Sequence, residues 1–264
     1  MERFAGIPGG IVHLTDARRG SERTVELAPF AITRTVVTRS EFDAGRLDSR
    51  LDRSALDRTV LDRSAANTNT PAHGVTWLDA VAWCNAASVT AGLTPAYQFD
   101  GPSPHWNPTA DGFRLPTEAE WVHAAMGGSP GPRHGAIASI GWSALDRVAG
   151  PQPVGQKAPN AYGVYDSIGN VWEWCWDRLD PARYGNYRVF KGGGWADPEW
   201  SCRVGVRRGN APDAVVEDVG FRVARGFVAA HETSDGGQGW SEAADRTRAS
   251  LPGPLPVGWT PLTE

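Results

Sequence analysis

The stretch DSIGNVWEWCWD (Asp166–Asp177), with GNVWEW (Gly169–Trp174) at its centre, and KGGGW…CR…GFR (Lys191–Arg222) downstream of it, decides how this chain is read. Asp166 and Glu173 place two carboxylates on one short segment, and Gly169 and Val171 supply backbone carbonyls between them. Carboxylate and carbonyl oxygens alternating on a tight loop suit a hard cation such as calcium. The alternative is a turn whose carboxylates pair with a nearby Arg or with backbone N–H groups. Cys175, inside WEWCWD, is expected to be buried among Trp172, Trp174 and Trp176.

Downstream, WADPEWSCRVGVRRGNAPD (195–213) combines two Trp, three Arg, acidic groups and an Asn on what should be a loop-rich face. Trp and Arg are the side chains that most often anchor interfaces. Trp195, Trp200, Arg203, Arg207, Arg208 and Asn210 are therefore the candidate substrate-binding residues, with the Arg groups able to grip a carboxylate bidentately. The alternative for Arg207 and Arg222 is an internal pair with Glu173 or Asp177. For Arg222, in Gly-Phe-Arg, that alternative is favoured.

Upstream, residues 1–45 read as short strands, because IVHL, TVEL and ITRTVV carry β-branched residues at alternating positions. Leu-Asp-Arg recurs with a period of five from Leu51, which does not keep the leucines on one helical face. The run is read as a charged surface insertion at 46–66. VTWLDAVAWCNAASVTAG (Val75–Gly92) has helical spacing, with Gly92 near its end and Cys84 as a small core residue. Thr117 and Glu120 form a capping-box pattern ahead of a second helix that contains His123. Beyond residue 127 Gly, Pro and Asn recur too often for helices, and YGVYD reads as a strand. After Arg225 the chain is polar and Gly/Pro-rich, a loosely ordered tail with Trp240 and Trp259 as docking groups.

The bulk figures exclude several classes. The chain has 264 residues, 41% of them hydrophobic, enough for one substantial core. Twelve Trp and 31 Gly beside two Met favour an irregular, loop-rich fold pinned by aromatic anchors. A net charge of −4 without a basic block argues against nucleic acid or an anionic membrane as partner. No apolar run reaches the ~20 residues of a membrane span. MERFAGIPGG has no apolar segment of the signal-peptide kind, and three cysteines are too few and odd for a disulfide framework, so a cytoplasmic location is expected. The six His are scattered without a metal-ligand spacing.

Four blocks in order resemble the formylglycine-generating (sulfatase-modifying factor) family: IPGG with APFAITRTVVTRSEF, then GVTWLDAVAWCN, then FRLPTEAEWVHAA, then NAYGVYDSIGNVWEWCWD leading into RVFKGGGW…GFRVA. The resemblance implies an α+β domain over 1–226, related to C-type lectins and low in regular secondary structure, followed by the tail 227–264. It places a structural calcium at Asp166, Gly169, Val171 and Glu173. Family members with the namesake activity oxidise a protein cysteine to formylglycine and hold copper(I) between two cysteines separated by four residues. Here Cys202 stands at the later position, Asp197 at the earlier one, and Gly194 where a serine is usual. One thiolate and one hard carboxylate make a poor copper(I) site. The resemblance therefore implies an oxidoreductase acting on a thiol, amino-acid or peptide substrate, with Cys202 and Asp197 as catalytic candidates and copper or iron as cofactor, but not a copper formylglycine generator of the usual kind. The alternative is a non-catalytic module that binds a peptide or small-molecule ligand on the lectin-like face.

Overall fold

The computed structural model describes residues 3–16, 20–48, 69–101, 103–226, 236–250 and 253–262. Strands β1 (Phe4–Ile7), β2 (Gly10–Asp16), β3 (Ser21–Leu27) and β4 (Phe30–Thr33) come first, followed by helices α1 (Arg39–Asp48) and α2 (Trp77–Thr90). Two short strands, β5 (Tyr97–Gln98) and β6 (His105–Trp106), precede α3 (Glu118–Met126) and the single turn α4 (Ile137–Ile140). Next come β7 (Trp172–Arg178), α5 (Pro181–Tyr184), β8 (Arg188–Lys191), β9 (Arg208–Asn210), β10 (Val219–Gly220) and β11 (Ala224–Arg225). A hairpin of β12 (Gly236–Gly237) and β13 (Trp240–Ser241) leads into α6 (Glu242–Ala249).

The central sheet has the order β10-β7-β8-β9, with β10 parallel to β7 and the other pairs antiparallel. A second sheet, β1-β4-β11, joins the two ends of the domain, and β2 and β3 form a hairpin beside it. Much of the chain lies in turns and loops between these elements, as expected for this α+β class.

Every residue of β7 is buried. Successive side chains leave a strand on opposite sides, so β7 divides the interior in two. Trp172, Trp174 and Trp176 enter a cluster with Trp77, Tyr97, Trp106, Phe190 and Phe221. Cys175 enters the opposite cluster with Trp121, Ile168, Val189 and Cys202. Cys175 is buried as expected, but on the face away from its tryptophan neighbours.

Both long predicted helices form where their caps place them. Thr76 and Asp79 close a capping box at the start of α2, and Gly92 follows its end with φ +70°. Thr117 and Glu120 do the same for α3. The expectation of strands up to residue 45 fails at α1. Glu41 Oε2 accepts from Thr38 N at 2.8 Å and from Thr38 Oγ1 at 3.0 Å, a third capping box that follows directly on a β-branched run. Residues 46–48 finish α1, and the rest of the expected 46–66 insertion lies outside the described residues. YGVYD is a turn and not a strand, because Asn160 Oδ1 accepts from the backbone N–H groups of Tyr162 and Val164 and bends the chain. No helix among the described residues is long and apolar enough to cross a membrane.

In the C-terminal segment Trp240 docks as expected, but residues 236–250 are ordered where a loose tail was expected. Gln238 Nε2 donates to Glu120 Oε1 at 2.9 Å, and Thr117 Oγ1 donates to Gln238 O at 2.8 Å. Trp240 packs on Trp106 and Trp176, and its indole N–H donates to Asp245 Oδ2 at 2.9 Å. Arg178 Nη1 donates to Glu242 at 2.8 Å and to Asp245 at 2.9 Å, fastening α6 to the end of β7. Residues 236–250 therefore belong to the domain, and α4, α5 and α6 are helices where none was expected. Trp240→Ala should lower stability by about 3–5 kcal/mol in a denaturant titration. A loss within error of zero would return the segment to the status of a loose tail.

Candidate functional site

The site grows out of the turn that follows β8. Gly192 and Gly193 have φ of +107° and +87°, a region that favours glycine. A Cβ on Gly193 would stand 2.6 Å from Cys202 Sγ, so only glycine lets the backbone cross the thiol this closely. Asp197 then closes the loop. Its Oδ2 accepts from Trp172 Nε1 at 2.6 Å and from Gly194 N at 2.9 Å. Its Oδ1 faces Arg208 Nη1 at 3.2 Å. Arg208 in turn lies 4.7 Å over the Trp172 ring and donates to Ser201 Oγ at 3.0 Å.

Cys202 is fully buried beneath this loop, its Sγ 3.9 Å from Gly194 O and 4.0 Å from Asp197 O. Burial, and then the negative Asp197, push the thiol up to about 12, although Arg133 and Arg208 pull the other way. At neutral pH it is a neutral thiol and a poor nucleophile. Cys202 and Asp197 are thus brought together as the spacing implies, but the carboxylate is engaged on both oxygens.

The remaining candidates divide. Trp200 is 62% exposed and Arg203 is exposed, while Trp195, Arg208 and Asn210 are half-buried. Trp195 meets the His73 ring edge-on at 6.1 Å. Asn210 Oδ1 accepts from the next residue, Ala211 N, at 2.9 Å. Arg207 is a correction: it faces inward and not toward a ligand, and its partners are neither Glu173 nor Asp177. Its Nε donates to Glu118 Oε1 at 2.7 Å and its Nη1 to Asp16 Oδ2 at 2.9 Å. Arg207 and Arg208 lie next to each other at the entry to β9 and leave the backbone on opposite sides, so only one of them faces out. Three residues of this rim escaped the sequence reading. Ala144 N donates to Asp197 O at 2.9 Å and brings Leu145, 61% exposed, beside the loop. The Ser143–Asp146 capping box that shapes this turn was the available signal. Asp218 reaches the same place, its Oδ2 2.9 Å from where a Gly194 Cβ would stand, with its carboxyl raised by burial and then by Asp197. His73 completes the rim, its Nδ1 2.7 Å from Glu217 O.

The four positions expected to hold calcium fit it unevenly. Both oxygens of Glu173 are already engaged: Arg222 donates to each at 2.6 Å, and Trp121 Nε1 donates to Oε2 at 2.6 Å. The internal pairing favoured for Arg222 is the one observed. Asp166, at φ +53°, accepts from Gly155 N at 2.6 Å through Oδ2, while its buried Oδ1 has no hydrogen-bond partner among the described residues. Burial raises this carboxyl to about 6. Asp166 offers one open oxygen beside the Gly169 and Val171 turn, and the four-donor set with Glu173 does not fit. Among the described residues no group of three or more His, Cys, Asp or Glu is placed to hold a metal ion.

A family model for the sulfatase-modifying factor enzyme 1-like domain matches residues 2–227. The chaperone protein LppX of Paenibacillus barcinonensis is 31% identical over 228 residues, covering 72% of this chain and 81% of that protein. A formylglycine-generating enzyme of Thermomonospora curvata is 34% identical over 192 residues, covering 59% of this chain and 55% of the enzyme. The chain thus spans about half the length of that enzyme. Among solved structures, the Treponema denticola variable protein 1 superposes with a TM-score of 0.71 at 27% identity, covering 84% of this chain and 94% of that one.

The buried charges behind the site make stability depend on pH in two windows. Burial would push Glu118 up, but Arg207 and Lys191 hold it at about 2, so its contribution is full above its unfolded value near 4.5 and is lost as pH falls toward 2. Asp177 is raised to about 6 by burial, with Arg23 pulling down and Glu118 pushing up. Its folded form holds the proton more tightly, so its contribution is present below about pH 4 and is lost as pH rises through 6. Asp166, also raised to about 6, acts in the same window, so denaturation midpoints measured at pH 5 and pH 7.5 should show a fall that Asp177→Asn reduces. An equal fall in that variant would reject the assignment.

Proposed function

This chain belongs to the family of the sulfatase-modifying factor enzyme 1-like domain, and from that premise we propose that it is a recognition module without the namesake chemistry. Its ligand is a peptide or small molecule bearing a carboxylate, held on the face of Trp195, Trp200, Arg203, Arg208 and Leu145. One observation carries this reading. Asp197, standing where a second thiol would be, is closed on two N–H donors and Arg208, while Cys202 is a buried, neutral thiol. A soft copper(I) ion finds one cysteine sulfur here and a carboxylate in place of the second. The rim around that closed centre presents an exposed Trp, an exposed Arg and an exposed Leu within one loop cluster. Such groups anchor interfaces, and an Arg head binds carboxylates in a bidentate manner.

A second reading keeps the family's oxidoreductase chemistry, with copper or iron at Cys202 and a thiol, amino-acid or peptide substrate. Arg133 and Arg208 favour it, because both act to lower the thiol. Elemental analysis of the reduced protein beside Cys202→Ala separates the two, since copper or iron that vanishes with the thiol would support the second.

For the first reading, a degenerate peptide library is screened and the selected peptide titrated. Trp200→Ala and Arg203→Ala should each weaken binding at least tenfold while the fold is unchanged. Incubation with copper(I), oxygen and a Cys-x-Pro-x-Arg peptide should leave the peptide cysteine intact, and its oxidation would refute the proposal. Native Cys202 should react with a thiol reagent at neutral pH on the order of a thousandfold more slowly than a free cysteine, because so little of it is thiolate.

A further inference from the structure

Arg188, at the start of β8, is 1% exposed, and no carboxylate is hydrogen-bonded to it among the described residues. Its Nη1 donates to Trp176 O at 2.7 Å, and its Nη2 donates to Asn186 Oδ1 at 3.0 Å. That same amide oxygen accepts from Arg178 Nε at 3.2 Å, so two guanidinium groups converge on one neutral acceptor. The carboxylates in range are committed elsewhere. Asp245 serves Arg178, Arg248 and the Trp240 indole. Glu242 serves Arg178, and Asp177 serves Arg23 and Glu118 N. Burial, and then the like charge of Arg178, bring the Arg188 guanidinium down to about 9. Its positive charge is poorly balanced.

The donors around this charge are also unmatched. Arg188 lies over Trp77 at 4.0 Å and over Trp176 at 5.1 Å, and Trp106 meets Trp176 at 6.1 Å with the rings 66° apart. Arg188 Nε, Trp176 Nε1 and Trp106 Nε1 are buried without a hydrogen-bond partner among the described residues. Their neighbours in the same aromatic cluster are all satisfied. Trp77 donates to Cys175 O, Trp174 to Val75 O and Trp240 to Asp245. An unmet buried N–H costs about 1–3 kcal/mol in ordinary circumstances, so three of them in one cluster call for an acceptor.

We propose that Arg188 Nε, Trp106 Nε1 and Trp176 Nε1 bind one small monovalent anion of the halide class. The chemistry selects it over the alternatives. A water molecule accepts about two hydrogen bonds, one fewer than the three N–H donors here, and brings no charge to Arg188. A halide accepts from all three N–H groups, donates to none and supplies the negative charge that Arg188 lacks. Arg114, 5.0 Å over Trp106, does not compete for it, because both of its terminal nitrogens are closed on Glu120 at 2.6 Å. The ion joins β6, β7 and β8 behind the Trp240 anchor and acts as a staple of the fold. It is independent of what the Trp200 face binds.

Crystals grown in sodium bromide and measured at the bromine absorption edge test the site directly. The expected result is an anomalous peak within hydrogen-bonding reach of Arg188 Nε and both indole nitrogens. In solution each tenfold rise in bromide or chloride above the dissociation constant should raise Tm by about 3–5 °C relative to gluconate at equal ionic strength. Trp106→Phe, which keeps a ring and removes one N–H, should flatten that slope. A water without anomalous signal at the position, or a Tm slope identical in gluconate and bromide, would overturn the proposal. If Trp106→Phe does not fold, the anomalous map alone decides it.

Discussion

Glu173 and Arg222 meet in the interior of the domain with every polar atom between them satisfied. Two parallel hydrogen bonds of 2.6 Å join them, and Trp121 adds a third to the same carboxylate. The guanidinium also donates to Thr33 O and Tyr165 O, both at 3.0 Å. One ion pair therefore ties together β7, the segment between β10 and β11, the end of β4, the turn at 165 and helix α3. Removing two charges from water is costly, and such a pair holds only where the geometry repays it. The alternation of β7 follows from this. With Glu173 fixed inward, Trp172, Trp174 and Trp176 must occupy their cluster, and Cys175 must face the other way.

How much of this can be read from residues alone depends on the range of the interaction. Capping boxes are local, so Thr76–Asp79 and Thr117–Glu120 announce α2 and α3 in the sequence. Thr38–Glu41 is equally local, but it sits at the end of ITRTVVT, where β-branched alternation outweighs three polar letters. The C-terminal segment looks loose because its anchors are long-range. Trp240 reaches Trp176, and Asp245 reaches Arg178, across more than sixty residues. Nothing in the composition of SEAADRTRAS signals a partner on β7.

The candidate site shows the same division. The crossing of Gly193 over Cys202, and the approach of Asp197 to both, follow from spacing within one loop. Parity does not. Whether Arg207 or Arg208 faces out depends on where β9 begins, and a one-residue shift would exchange them. Leu145, Asp218 and His73 arrive from three other parts of the chain and share no pattern with the loop they border. The Glu173 pairing had the opposite outcome: the motif was recognisable, and its carboxylate is engaged by Arg222 and Trp121.

The substitution of a carboxylate for a thiol at residue 197 changes what the loop can do mechanically as well as chemically. A thiol has one weak donor and weak acceptor capacity, and would leave the N–H groups of Gly194 and Trp172 to find other partners. Asp197 accepts from both and still faces Arg208. The loop is consequently clamped from inside, with Cys202 sealed below and Trp200 held outward above. Reactivity needs a thiol that can ionise and a donor set that can open, whereas recognition needs exposed side chains on a backbone that does not move. One residue, by engaging both its oxygens, fixes the loop over Cys202.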